Sequence, residues 1–206
     1  MSGISYPIPP QAIDLPEFWN LIFISGEITV ETGLEVSHKL LTIEMLNKAN
    51  ETKEPVNMII NSPGGDLTAA WQICDIMDFI ETPVHTVGLG QICSAGLLIT
   101  MNGEPGQRRV TDRTSIMSHT YSWGSMGSHG QLMSQTKEMN FIHNRLIRHY
   151  EECTGLDRKI IVSELLTDND KYLTPPQAKK YHLVDHVVVS NKSLKLKKNR
   201  GKKDDK

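Results

Sequence analysis

Short apolar runs and longer amphipathic stretches alternate along this chain. Leu21–Ser25 is an apolar run of strand length, and residues 56–60 and 84–88 are two more. Residues 33–50 place Leu34, Leu40, Leu41, Ile43 and Leu46 at helical intervals, behind Thr32 as a candidate cap. The turn-forming residues Asn61, Ser62, Pro63, Gly64 and Gly65 stop the second apolar run. A helix is predicted after them, with Ile73, Ile76, Met77 and Ile80 on one face and Pro83 beyond its end. Ala95–Met101 reads as a short buried helix and Ser115–Ser118 as a strand. Residues 131–153 form the longest predicted helix, and a strand at 187–189 closes the series. Strands alternating with helices at these lengths predict an α/β fold of successive βα units.

The ends differ from this body. Residues 1–18 hold Pro7, Pro9, Pro10 and Pro16, which remove donors and fix the backbone, so an extended N-terminal arm is expected. Residues 191–206 carry eight basic and two acidic side chains, a charge of +6, and read as a solvated basic tail. The net charge is −2, so residues 1–190 carry −8, which argues against nucleic-acid binding by the globular surface. The region between, 19–190, is long enough for one domain. No apolar stretch approaches the roughly 20 residues of a membrane span, and the first residues lack the basic and apolar regions of a secretory leader. Cys74, Cys93 and Cys153 are odd in number and widely spaced. They suggest neither a disulfide framework nor a zinc site, and favour a reducing, cytoplasmic setting.

Candidate chemistry concentrates in four places. Ser94 stands where a strand gives way to the helix Ala95–Met101, so its hydroxyl would face the unpaired amides of a helix start. The amide after a nucleophilic serine commonly serves an oxyanion hole, and here that is Ala95. Ile92 occupies the first glycine position of Gly-x-Ser-x-Gly, which argues against an α/β-hydrolase elbow. His119 follows the strand Ser115–Ser118, where an imidazole can reach a cleft as a general base. Asp168 and Asp170 flank Asn169, and either carboxylate suits the task of orienting an imidazole. The turn at Gly64 and Gly65 can expose backbone amides to an anion. It is not a nucleotide-phosphate loop, because Gly-x-x-x-x-Gly-Lys-Ser/Thr is absent from the sequence. His182 and His186 lie four apart without a third ligand or a metalloprotease glutamate, so no metal site and no cofactor is expected. His143 and His149 read as surface or satisfied polar residues. The order Ser94, His119, Asp170 matches none of the three familiar hydrolase orders.

Taken together, the Asn61–Gly65 turn, Gly90-Gln91 with Cys93-Ser94-Ala95-Gly96, Met117-Ser118-His119, and Thr167 to Asp170 with Tyr181 to Asp185 resemble the proteolytic-subunit family of Clp protease, from about residue 21 to 189. The resemblance implies a crotonase-like ββα spiral with a protruding helix–strand handle. It implies a serine endopeptidase that degrades unfolded polypeptides inside a chamber of two stacked heptameric rings. A separate AAA+ unfoldase would feed that chamber and bind the ATP. Ser94 would be the nucleophile, His119 the general base and then acid, and Asp170 the orienting carboxylate. Asp168 is the competitor, and the family's aromatic two places after its Asp corresponds to Tyr172. The oxyanion amides would be those of Gly65 and Ala95. Residues 131–153 would supply the handle helix, and residues 124–130 a strand that lays substrate beside the site. Asn169 stands where the family has the arginine of an Asp–Arg pair that ties the rings. A non-catalytic scaffold subunit, a protease dedicated to one precursor, and a crotonase-fold acyl-CoA enzyme are the alternatives.

Overall fold

The computed structural model describes residues 19–121, 124 and 126–189; the predicted arm at 1–18 and the basic tail at 191–206 lie outside the described residues. The elements run β1 (Leu21–Ser25), α1 (Val30–Ala49), β2 (Val56–Ser62), α2 (Leu67–Phe79), β3 (Val84–Cys93), α3 (Ala95–Met101), β4 (Arg108–Thr111), β5 (Ser115–Ser118), α4 (His129–Thr154), α5 (Arg158–Ile160), β6 (Lys171–Leu173), α6 (Pro175–Lys180) and β7 (His186–Val188). A π-helical turn, Ile161–Leu165, continues directly from α5. The α/β class expected from the alternation is the one observed.

The seven strands form one mostly parallel sheet in the order β1-β2-β3-β4-β7, with β5 on the far half of β3 and β6 antiparallel to β5. The division of β3 decides where the site lies. Its first half pairs with β4 at Thr86, Val87 and Gly88, and its second half pairs with β5 at Gln91, Ile92 and Cys93. Opposite β2 the register breaks between: Ile60 faces Gly88, but Ser62 faces Ile92. The extra β3 residues form a bulge, which bends a strand and re-aims the residues beyond it. Gly90 sits in that bulge at φ 63, where a Cβ would lie 2.8 Å from Asn61 Oδ1. The Asn61 side chain accepts the Gln91 amide there at 3.2 Å. The bulge thus turns the end of β3 toward β5 and carries Ser94 with it.

The core is aliphatic and continuous. Ile22, Ile24, Met58 and Ile60 of the sheet meet Leu40 and Ile43 of α1, Ile73 of α2 and Leu97 of α3, all buried. α3 is buried at all seven residues, Ala95 to Met101, which makes it the anchor of the fold behind the site. Several boundaries differ from the sequence reading. α1 begins at Val30, because Thr29, not Thr32, caps it: Thr29 Oγ1 accepts the Thr32 amide, and Thr32 Oγ1 accepts the Thr29 amide. α4 starts at His129 through an equivalent exchange between Ser128 and Gln131. That cap also corrects the strand expected over 124–130. His129 and Gly130 already belong to α4, the described residues before them join no strand, and Ser125 lies outside the described residues. Among the described residues no helix is long and apolar enough to cross a membrane.

Candidate active site

Ser94 joins β3 to α3 in a backbone conformation that L-residues rarely adopt, φ 53 and ψ −121. Three hydrogen bonds hold it there. Its amide donates to Met117 O at 2.9 Å, and its carbonyl accepts the amides of Leu97 at 2.9 Å and Leu98 at 3.1 Å. No side-chain capping bond occupies the hydroxyl. The hydroxyl instead meets His119 Nε2 at 2.8 Å.

His119 follows the last residue of β5, and both flanks of that strand are tied down. Met117 pairs with Cys93 on one side and Tyr172 on the other. The His119 imidazole Nδ1 lies 3.3 Å from Asp170 Oδ1. A carboxylate at Nδ1 favours the proton on that nitrogen, which leaves the Nε2 lone pair facing the Ser94 hydroxyl. Asp170 precedes β6, which pairs Ser118 with Lys171, so the strand pairing itself delivers the carboxylate to the imidazole. Asp168 is exposed, and the carboxylate paired with His119 is Asp170. The structure therefore brings Ser94, His119 and Asp170 together.

Of the two candidate oxyanion amides, that of Ala95 directly follows the serine, and Gly65 lines the same cleft. Ala95 is the first residue of α3, where an amide has no partner within its own helix. Gly65 faces Ile28 in a single parallel bridge that uses the Gly64 carbonyl and the Asp66 amide, leaving the Gly65 amide outside the ladder. Only glycine fits here: a Cβ on Gly65, at φ 146, would fall 2.2 Å from Ile28 O. A Cβ on Gly64, at φ 104, would fall 2.8 Å from Ser94 Cβ and 2.9 Å from Cys93 O. Asp66 then caps α2 by accepting the Ala69 amide at 2.7 Å.

Above these groups opens a cleft of about 890 Å³ that reaches Ser94, Ala95, Gly65 and His119. Leu67 and Trp71 of α2 and Phe141 and Arg145 of α4 also line it, with the Arg145 guanidinium 5.1 Å from the centre of the Phe141 ring. A smaller apolar recess beside Ser94 and His119 is lined by Leu67, Leu98, Leu146, Tyr121 and Tyr150. The sequence reading missed these residues. Trp71 and Leu67 belong to a helix whose face was visible, but nothing local pairs that face with α4.

Neighbouring groups make poor rivals for the nucleophile. Burial pushes the Cys93 thiol up, and the Asp170 charge acts the same way, against a backbone hydrogen bond from Met117. Cys153 is pushed up to about 12, chiefly by burial. His149, read as surface or satisfied, is buried. Its Nε2 faces Leu98 O at 3.1 Å, and burial lowers its pKa. His186 Nε2 faces Gly106 O at 3.0 Å. Among the described residues no three His, Cys, Asp or Glu side chains are grouped to hold a metal.

A family model described as Clp protease matches residues 17–191. That span is most of the chain, so the chain belongs to the Clp protease family.

Proposed function

We propose that this member of the Clp protease family is a serine endopeptidase whose nucleophile is Ser94. The observation that carries the reading is the chain of contacts from the Ser94 hydroxyl to His119 Nε2 at 2.8 Å and from Nδ1 to Asp170 at 3.3 Å. A serine hydroxyl attacks poorly until a base removes its proton. His119 takes that proton as Ser94 Oγ bonds to the peptide carbonyl carbon, and Asp170 stabilises the imidazolium. The carbonyl oxygen becomes an oxyanion between the Gly65 and Ala95 amides, where one such donor is worth about 3–4 kcal/mol. His119 returns the proton to the leaving amine as the C–N bond breaks. Water, deprotonated by the same imidazole, then releases the acyl group and restores the serine.

The substrates in this reading are unfolded polypeptides admitted to a homo-oligomeric chamber, two heptameric rings fed by an AAA+ unfoldase in the cytoplasm. Family membership supports that assembly. Asn169 leaves the rings without the ion pair that ties them elsewhere in the family, so other contacts must hold them. Hydrolysis of a short fluorogenic peptide by the purified chain tests the chemistry. Ser94→Ala and His119→Ala should abolish turnover, Asp170→Asn should reduce kcat strongly, and Asp168→Asn should leave it unchanged. Full activity in Ser94→Ala sinks the proposal.

A further inference from the structure

His119 and Asp170 are on separate segments, and both are more exposed than the core around them: His119 is 19% and Asp170 51% exposed at the side chain. The pairing of β5 with β6 sets the register of the two segments, and side-chain bonds beside the base add to it. Immediately before His119, the Ser118 side chain is fully buried and makes two hydrogen bonds. One runs to Leu165 O at 2.8 Å and the other joins Tyr150 Oη at 2.7 Å. Proton counting fixes their directions. A serine hydroxyl has one hydrogen, and the carbonyl of Leu165 can only accept. Ser118 therefore donates to Leu165, and Tyr150 donates to Ser118.

Each end of this relay is firmly anchored. Tyr150 lies in the buried half of α4 beside Leu146 and Ile147. Burial keeps its phenol pKa above the ordinary range, so the hydroxyl keeps its proton and remains a donor. Leu165 is the last residue of the π-helical turn, and the segment that leaves it runs straight to Asp170. π-helical turns are rare and cluster at functional sites. On the other side of His119, the Thr120 amide and hydroxyl both reach Thr167 O at 3.4 Å. The base is thus bracketed by ties to the segment that carries its carboxylate, and the shorter, buried bond is that of Ser118 to Leu165 O.

We infer that Tyr150 and Ser118 are positioning residues for the His119–Asp170 pair. The hydroxyl relay clamps the end of β5 to the Leu165 carbonyl and to α4, and so sets the distance between imidazole and carboxylate. The inference rests on the catalytic reading of Ser94, His119 and Asp170. Neither side chain touches substrate in this role; both act through the geometry of the pair.

Steady-state peptide hydrolysis by the full chain tests it, with Tyr150→Phe and Ser118→Ala made both alone and in an Asp170→Asn background. Tyr150→Phe keeps the ring and leaves the Ser118–Leu165 bond in place. Loss of one buried hydrogen bond should lower kcat about tenfold with KM nearly unchanged. In the Asp170→Asn background the same change should cost less than about twofold, because the pair it aligns is already broken. A merely structural hydroxyl would cost the same in both backgrounds. If Tyr150→Phe does not fold, Ser118→Ala cuts the relay from the strand side and carries the same comparison. Wild-type kcat in both single variants, or equal losses in both backgrounds, overturns the inference. Activity that survives Ser94→Ala instead overturns the catalytic reading on which it rests.

Discussion

Gly64→Ala should disable the site while leaving the fold largely in place. Gly64 lies behind Ser94 at φ 104, and an added Cβ would stand 2.8 Å from Ser94 Cβ, 2.9 Å from Cys93 O and 3.3 Å from the Ala95 nitrogen. Ordinary carbon contacts begin at about 3.5 Å, so the methyl group must push the serine back by several tenths of an ångström. The neighbours it meets are backbone or a Cβ, and none can rotate away. Ser94 cannot retreat without breaking its amide bond to Met117 O or the two bonds its carbonyl accepts from α3. A displacement on the order of 1 Å at a reacting atom costs about 10²-fold in rate, and the Ala95 amide shifts as well. Gly26→Ala is the matched control. It also has a positive φ, 89, but a Cβ there meets nothing within 4 Å. Both variants incur the backbone cost of a left-handed alanine, about 1–3 kcal/mol; only one presses on the serine. Peptide hydrolysis and urea unfolding of the two variants separate the effects. A larger destabilisation in Gly64→Ala than in Gly26→Ala, with kcat lost about 100-fold in Gly64→Ala alone, is expected. A Gly64→Ala enzyme within threefold of wild type would refute the steric argument.

Glu44 predicts a specific acid sensitivity. Burial acts to raise its pKa, but hydrogen bonds from Lys48 and from the Thr82 hydroxyl and amide outweigh that and lower it from 4.5 to about 2. A depressed carboxylate contributes stability above its unfolded pKa and loses it as pH falls toward the folded value, so wild type should lose about 3 kcal/mol between pH about 4.5 and about 2 through this group. Urea unfolding across that range should show a flatter profile for Glu44→Gln; parallel profiles would contradict the assignment. Asp185→Ala should cost about 3 kcal/mol, the low end for breaking a buried pair, because Arg108 keeps the Met101 and Cys153 carbonyls at 3.3 and 2.7 Å after losing its two-point contact with the carboxylate. A loss below 1 kcal/mol in denaturant titration would argue that solvent reaches Arg108. Thr29→Ala removes one side of the α1 cap and should cost about 1 kcal/mol by the same measurement, with no change in kcat.

The residues of the candidate site were legible in the sequence because each sits at a junction with a local signature. Ser94 stands directly before a run of apolar helix formers, His119 ends an apolar run, and Gly64 and Gly65 close a turn. What the sequence could not decide was the choice between Asp168 and Asp170. That choice depends on the antiparallel pairing of Ser118 with Lys171, a contact between segments far apart in the chain. β6 itself was invisible for the same reason: three residues, with Tyr172 exposed, carry no period of their own. β4 was missed because Arg108 and Arg109 make half of a four-residue strand look polar. Arg108 is buried there because Asp185, 77 residues away, and the Met101 and Cys153 carbonyls satisfy its guanidinium. β3 was read five residues too short, since Gly88 and Gly90 look like a strand's end. Gly88 is instead the last paired residue before the bulge, and Gly90 lies in the bulge that passes β3 from one neighbour to the next.

Order across the site is unevenly supplied, and this explains why its far side needs a relay of its own. Ser94 is held in a costly backbone conformation by groups that belong to the core: a helix buried at every residue in front of it, a paired strand behind it, and a glycine that leaves room for it. Such strain, about 1–3 kcal/mol, persists only where the surroundings over-determine the geometry. Asp170 has no such surroundings. It is half exposed, in the stretch between a π-helical turn and a three-residue strand, and its attraction for an imidazolium is weakened by water at that exposure. A general base must keep both ends of its imidazole aligned at once. The serine end is aligned by the core, and the carboxylate end by the pairing of β5 with β6 and by the bonds that tie β5 to the segment before Asp170. The buried side-chain bonds at that point are those of Ser118, with Tyr150 on one side and Leu165 on the other. The core thus reaches the solvent-facing half of the site through the β5–β6 pairing and, next to the base, through one buried serine hydroxyl.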